Sequence, residues 1–453
     1  MFKRHIPFVT LFVLLTGTVL LSGCTWAKLG ELEDKAPAVK LEAVGDIQSS
    51  SFGDAIAGAP LRANEEGAWL AISGNAEANI FTANFKNSGQ ANVSSASITE
   101  LKEDLQNPQK MLSMALARSE PFETTSKEYQ GPFVFLGAVH SGTNFVHVVN
   151  LPSFHSMQKV PPVSGAEDFG VGVSAAALAG TTREDLVVGA AGKLFLFGNA
   201  GNWPSFKNSS EVKGGWSKDE SFSVIAAGEI DSTFDGEEVI FGSPTTDYVA
   251  VAFGTKNCVA DASDCSNSVQ IPYPDPKTQG FGASILIADV MGSSSPELII
   301  GAPNTNNKGE VYVFTIQNGD KNTNPPKAPQ FTLAKTLSPP DGADSFGQSL
   351  SYGQFIKNGT YHLAVGAPAT EGSNGTRNVG AVYLYANGLN DVAATASLSS
   401  NETGSLVGLQ LTAMPFRVGS ESREVLVASG ASAVYAIFSN LSSEMVDPRV
   451  IPD

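Results

Sequence analysis

Pro296-Glu-Leu-Ile-Ile-Gly-Ala-Pro303, followed after five residues by Gly309-Glu-Val-Tyr-Val-Phe314, is two short apolar runs broken by small residues. Runs such as Leu298-Ile-Ile, Val311-Tyr-Val-Phe314, Asp185-Leu-Val-Val188, Leu194-Phe-Leu-Phe197 and Val382-Tyr-Leu-Tyr385 are β-branched or aromatic and bounded by Gly, Pro, Asn or Ser, which marks strands. Their apolar residues are continuous rather than alternating, so both faces of each sheet are covered. The pattern occurs seven times, anchored at Gly74, Gly137, Gly189, Gly242, Gly301, Gly366 and Gly430, with gaps of 63, 52, 53, 59, 65 and 64 residues. A unit recurring at this period cannot cover its own apolar faces and buries them by stacking on copies of itself.

A second marker precedes the anchors. Phe169-Gly170, Phe222-Ser223, Phe281-Gly282 and Phe346-Gly347 each place the Phe 20 residues before the anchor, and Phe52-Gly53 does so at 22. The last unit offers Leu406-Val407 and the second, from Met111, has no such pair. In these motifs the chain resembles the FG-GAP repeats of the integrin alpha-subunit head. The resemblance implies an all-β, seven-bladed β-propeller of four-stranded blades over residues 36–453. Helical periodicity is almost absent; Leu101, Leu105, Leu112 and Ala115 leave a short helix open within Ile98–Ala117.

Ring closure follows from comparing two segments. Lys327-Ala-Pro-Gln-Phe-Thr-Leu leads into Ser345-Phe-Gly347 much as Lys35-Ala-Pro-Ala-Val-Lys-Leu leads into Ser51-Phe-Gly53. Each unit thus begins with the outermost strand of the preceding blade, and Val39–Val44 is expected to pair with the last blade, leaving no open edge.

At the N-terminus, Lys3 and Arg4 precede the apolar run Phe8–Leu21, and Leu21-Ser22-Gly23-Cys24 follows. This resembles a bacterial lipoprotein signal (residues 1–23), with Cys24 acylated and residues 24–35 a lipidated tether. The run is short for a bilayer span. An ordinary secretory signal is the weaker reading. The resemblance implies the bacterial cell envelope, and Thr25 after the Cys favours the outer membrane or cell surface. Cys258 and Cys265 remain in the polar stretch Lys256–Asn267. A local disulfide is preferred there over a metal site or two free thiols, because an exported chain meets an oxidising compartment and two thiolates do not fill a tetrahedral shell.

With 45 acidic against 28 basic residues the net charge is −17, and no basic cluster follows the signal. Binding of the folded domain to nucleic acid or anionic headgroups is disfavoured, leaving the acyl chains as the membrane contact. A monomer is expected.

In the family resembled, the turn between first and second strands often carries calcium through Asp-x-Asp-x-Asp-Gly-x-x-Asp. A hard cation needs several oxygens within one tight turn. This chain has mostly lost the pattern. The nearest copy offers Asp231, Thr233 and Asp235 at alternate positions, then Gly236, with Glu238 one residue early; an acidic surface turn is the preferred reading and calcium the cofactor kept open. The fifth unit keeps Asp289 and Glu297 around Met291 and Ser293. His140, His147 and His155 cluster in sequence, yet spread over two strands and a turn, so a buried strand histidine is preferred to a metal site.

No Gly-x-Ser-x-Gly, His-Glu-x-x-His or phosphate-gripping loop occurs, so an enzyme is the less favoured reading. Six Asn-x-Ser/Thr sequons, at Asn92, Asn208, Asn358, Asn374, Asn401 and Asn440, read as incidental. The preferred function is an adhesion-type module binding a protein or glycan through one propeller face. Its loops are Asn304–Lys308, Ser338–Asp344 and Ala369–Val379, with Asn304, Asn306, Asn307, Lys308, Asp341, Asp344, Glu371, Asn374 and Arg377 as contact residues. The alternatives are an enzyme with carboxylates at the central channel, or a structural subunit of an envelope complex.

Overall fold

The structure, a computed structural model, describes residues 25–28, 38–42, 55–60, 68–74, 79–87, 93–95, 98–100, 110–117, 133–140 and 142–437. The last range excludes 151–154, 180–183, 200–205, 207–208, 215, 247, 261–264, 266, 276–278, 357–359, 373–374, 391–392, 401, 419–420 and 432. Two strands come first, β1 (Thr25–Lys28) and β2 (Ala38–Glu42).

Six blades are then built from strands consecutive in sequence. Blade one has β3 (Ile56–Pro60), β4 (Ala68–Gly74) and β5 (Asn79–Asn87), with β6 (Val93–Ser95) and β7 (Ile98–Glu100) both paired to β5. Blade two has β8 (Lys110–Ala117), β9 (Phe133–His140), β10 (Thr143–Asn150) and β11 (His155–Val160). Blade three has β12 (Gly172–Ala176), β13 (Asp185–Ala190), β14 (Lys193–Phe197) and β15 (Ser209–Glu211). Blade four has β16 (Val224–Gly228), β17 (Glu238–Gly242), β18 (Tyr248–Ala252) and β19 (Ser268–Pro272), with helix α1 (Thr255–Ala260) before β19. Blade five has β20 (Ser284–Ala288), β21 (Glu297–Ala302), β22 (Glu310–Gln317) and β23 (Gln330–Leu337). Blade six has β24 (Ser349–Gly353), β25 (His362–Ala367), β26 (Ala381–Ala386) and β27 (Ala396–Ser399).

Each of these is an antiparallel meander, and β1 adds to blade six by running parallel beside β27. The remaining strands, β28 (Leu411–Val418), β29 (Glu421–Ser429) and β30 (Ala433–Ile437), form a sheet in which β2 lies antiparallel to β30, Ala38 opposite Ile437 and Glu42 opposite Ala433. The first strands β3, β8, β12, β16, β20, β24 and β28 touch one another in that order, and β28 also touches β3. The chain is therefore an all-β, β-propeller structure of four-stranded blades.

Continuous apolar strands arise because successive residues serve two interfaces. On β21, Leu298 and Ile300 pack with Ile240, Val249 and Val251 of blade four. Ile299 between them packs with Leu363, Val365 and Tyr383 of blade six. Strand alternation sends odd and even residues to opposite faces, and here both faces are core.

The Phe-Gly pair joins each blade to its predecessor. The Phe ring enters its own blade: Phe169 lies 6.0 Å from Phe195 and 6.1 Å from Phe197, and Phe346 lies 6.0 Å from Tyr383 and 6.2 Å from Tyr385. The backbone carbonyl beside it presses on the anchor glycine of the preceding blade. A Cβ on Gly137 would meet Gly170 O at 1.8 Å, one on Gly189 would meet Phe222 O at 1.9 Å, and one on Gly301 would meet Gly347 O at 2.0 Å. At these three anchors no side chain fits, whereas at Gly242 a Cβ would come no closer than 3.3 Å, to Val249 Cγ2. Serines on the first strands add a hydrogen bond across the same joint: Ser113 Oγ donates to Gly170 O at 2.8 Å, Ser284 Oγ to Gly347 O at 2.7 Å and Ser349 Oγ to Gly408 O at 2.7 Å.

Three sequence expectations are corrected. The pair entering the last sheet is Val407-Gly408, not Leu406-Val407, since it is Gly408 O that meets Gly366 and Ser349. The backbone position equivalent to an anchor there is Ser429, whose carbonyl accepts from Gly408 N at 2.9 Å as that of Gly366 accepts from Gly347 N at 3.0 Å. Residues Ile98–Glu100 and Lys110–Ala117 are strands rather than parts of a helix. Pairing of β8 with β9 overrides a weak helical period.

Replacing Gly301 by Ala should destabilise the protein by about 2–3 kcal/mol or prevent folding, as overpacking against a fixed backbone does. Ser349→Ala should cost about 1 kcal/mol. Thermal and urea melting check both; a wild-type melt for Gly301→Ala would contradict the interlock.

Candidate functional site

Alternating strand direction puts two sets of connections on opposite faces of the ring. Links between first and second and between third and fourth strands form a turn face; links between second and third strands and between blades form a loop face. Asn304–Lys308, Ser338–Asp344 and Ala369–Val379 all belong to the loop face. They are tied into one rim. Gln279 N donates to Thr305 Oγ1 at 3.1 Å, Phe346 N to Lys308 O at 2.8 Å, Asp344 N to Thr370 Oγ1 at 3.4 Å, and Gly404 N to Arg377 O at 3.2 Å.

Buried Thr305, Thr370 and Val379 hold these loops down. Asn304, Asn306, Lys308, Asp341, Asp344, Glu371 and Arg377 stand exposed above them, while Asn374 and the side chain of Asn307 lie outside the described residues. Asn306 Nδ2 donates to Glu310 Oε1 at 3.1 Å. The rim thus offers amides and charges of both signs on a backbone fixed by hydrogen bonds, which suits polar recognition.

On the turn face the oxygens read as a calcium candidate do not converge. Asp231 is fully buried, its Oδ1 accepting from Thr233 N at 2.9 Å and its Oδ2 from Gly319 N at 2.6 Å. Asp235 points to lysines instead, 3.6 Å from Lys256 and 3.9 Å from Lys321. Thr233 Oγ1 faces Gly319 O at 3.5 Å. The turn is closed by Glu238, whose Oε2 accepts from Ile230 N at 3.0 Å and Asp231 N at 3.1 Å. Glu297 does the same in blade five, accepting from Val290 N at 2.9 Å and Met291 N at 3.0 Å. In both turns a carboxylate oxygen is the centre to which the backbone N–H groups point. No group of three or more His, Cys, Asp or Glu able to hold a metal occurs among the described residues.

Glu238 differs from Glu297 in one respect. Ser293 Oγ donates to Glu297 Oε1 at 3.1 Å, whereas Glu238 Oε1 is buried without a hydrogen-bond partner. Burial pushes the Glu238 carboxyl from its ordinary 4.5 up to about 8, and the charges of Glu229 and Asp231 add to the rise against two backbone N–H groups that lower it. Burial likewise raises Asp185, at the same turn position in blade three, and lowers His362 in blade six.

The histidines are dispersed along blade two. His140 ends β9, His155 begins β11, and His147 is buried in mid-β10 opposite Leu136 and Lys159. Cys258 and Cys265 are joined as a disulfide with Cα atoms 4.8 Å apart. It fastens α1 near blade three, where Ser210 Oγ donates to Cys258 O at 2.6 Å and Lys213 N to Cys265 O at 2.7 Å.

The proposed signal, Cys24 and residues 29–35 lie outside the described residues; Thr25–Lys28, read as tether, is strand β1. No helix among the described residues is long and apolar enough to cross a membrane. The first strands of the blades, which surround the axis, contain no Asp, Glu or His between their bounds.

No protein-family model matches the chain, and a search of curated proteins returned no match.

Protonated Glu238 has a measurable signature. Unfolded, it titrates near 4.5 and folded near 8, so between these values the folded state keeps a proton the unfolded state has lost, and stability falls as pH rises through that window. Glu238→Gln, which carries no charge at any pH, should melt close to wild type at pH 5 and above it at pH 9. A difference that does not change with pH would contradict the assignment.

Proposed function

We propose that this chain is a lipid-anchored bacterial envelope protein of the FG-GAP type, a seven-bladed ring closed by its N-terminal strand, that binds a protein or glycan through its loop face. The observation that carries the binding assignment is the rim itself: exposed Asn304, Asn306, Lys308, Asp341, Asp344, Glu371 and Arg377 on loops tethered to one another across blades five and six. Recurrence of the Phe-Gly joint at the anchor glycines supports the repeat type. The pairing of β2 with β30, and the contact of β28 with β3, support closure into seven blades. A lipobox-like Leu21-Ser22-Gly23-Cys24 supports lipidation and an outer-membrane or surface location. First strands free of carboxylates favour binding over catalysis in the channel.

Two experiments test this reading. Deleting residues 36–45 should lower the melting temperature by several degrees, because β30 would lose its neighbour and the last sheet an edge; an unchanged melt would contradict closure. For binding, the triple variant Asp344→Ala, Glu371→Ala, Arg377→Ala replaces exposed groups only and should melt like wild type. Crosslinking on whole cells should then lose at least ~90 % of the captured partner, the equivalent of 1.4 kcal/mol or more. Undiminished capture would rule out this face.

A further inference from the structure

The course of β1 gives the ring a direction relative to the membrane. Strand β27 begins where the connection between third and fourth strands of blade six ends, at the turn face, and β1 runs parallel to it with Thr25 opposite Ala396 and Lys28 opposite Ser399. Thr25 therefore also lies at the turn-face end. Cys24 is its covalent neighbour, one Cα step of about 3.8 Å away. An acyl anchor on Cys24 leaves the ring at the turn-face rim of blade six.

A second observation falls at the same place. Tyr361 ends the first turn of blade six and is 39 % exposed, the most exposed aromatic residue among those described, and its ring stacks on Tyr352 with centroids 5.2 Å apart. Tyr352 is held by donating its hydroxyl to Asp289 O at 2.6 Å. A tyrosine with an apolar body and a polar tip suits the headgroup layer.

Charge agrees with this. Of the described residues in the two turns of blade six on this face, 354–356, 360–361, 387–390 and 393–395, none is charged. The corresponding turn of blade four, residues 229–237, carries Glu229, Asp231, Asp235 and Glu237. In a chain of net charge −17, the low-charge turns are those that approach anionic headgroups at least cost.

We infer that the turn face of blade six rests on the lipid surface, with Tyr361 at the headgroup layer, so that the loop face points away from the membrane. This rests on acylation of Cys24. It places the rim of blades five and six where a partner outside the membrane can reach it, separated from the lipid by at least a strand length, roughly 17–20 Å.

The test uses the full-length lipidated protein in phosphatidylcholine vesicles containing a nitroxide-headgroup lipid, with a fluorophore on a single introduced cysteine. Asn390→Cys lies exposed on the turn face of blade six, and Asp341→Cys lies exposed on the loop face. Most of the fluorescence should be quenched at position 390 and little at position 341. Equal quenching, or stronger quenching at 341, with acylation established by mass overturns the orientation alone. A mature chain without acyl mass overturns the anchoring and the orientation with it.

Discussion

The structure depends on one close approach: the backbone carbonyl of a Phe-Gly turn set against a glycine in the second strand of the preceding blade. At Gly189, Gly301 and Gly366 a Cβ would come within 1.9–2.2 Å of that carbonyl, so the contact exists only because the side chain is absent. The same short segment sends its Phe into the aromatic pair of its own third strand and its carbonyl toward a serine of the preceding first strand. One turn thereby fixes spacing, register and rotation between neighbouring blades. Blades that cannot bury their own faces are held in a single arrangement by this joint rather than by the apolar faces alone, which would tolerate sliding.

Much of this was legible in the sequence because it is periodic. The constant offset of 20 residues between Phe and anchor marks a fixed path from the turn through the first strand into the second. What escaped has a physical reason in each case. Ser113, Ser284 and Ser349 look like polar filler in short strands, and their acceptors are backbone carbonyls 57–63 residues away, which no local pattern shows. In the last sheet Val407 fills the place of Phe, so the aromatic signal vanished and the pair was misplaced by one residue. Strand β8 lacked the marker and its leucines mimicked a helix.

The turn face shows how an acidic motif is converted. Asp231 and Glu238 keep oxygen in the turn but turn it toward backbone N–H groups of residues 230, 231, 233 and 319, while Asp235 faces lysines. Spacing placed these residues in one turn; only coordinates reveal that their oxygens point apart. The loop face was easier to locate, since connection order alone assigns loops to faces, but the ties that make Thr305, Thr370 and Lys308 one rim are tertiary.

The interlock is most directly tested by hydrogen exchange at the Phe-Gly amides. Phe222 N, Phe346 N and, in the last sheet, Val407 N donate to Ala190 O, Lys308 O and Val379 O of the preceding blade, across the joint between blades. If the joint holds the ring together, these amides exchange only through global unfolding, with the same opening free energy as amides in the middle of β13 and β21. Exchange orders of magnitude faster than those strands, by local opening that leaves the blades intact, would contradict the account.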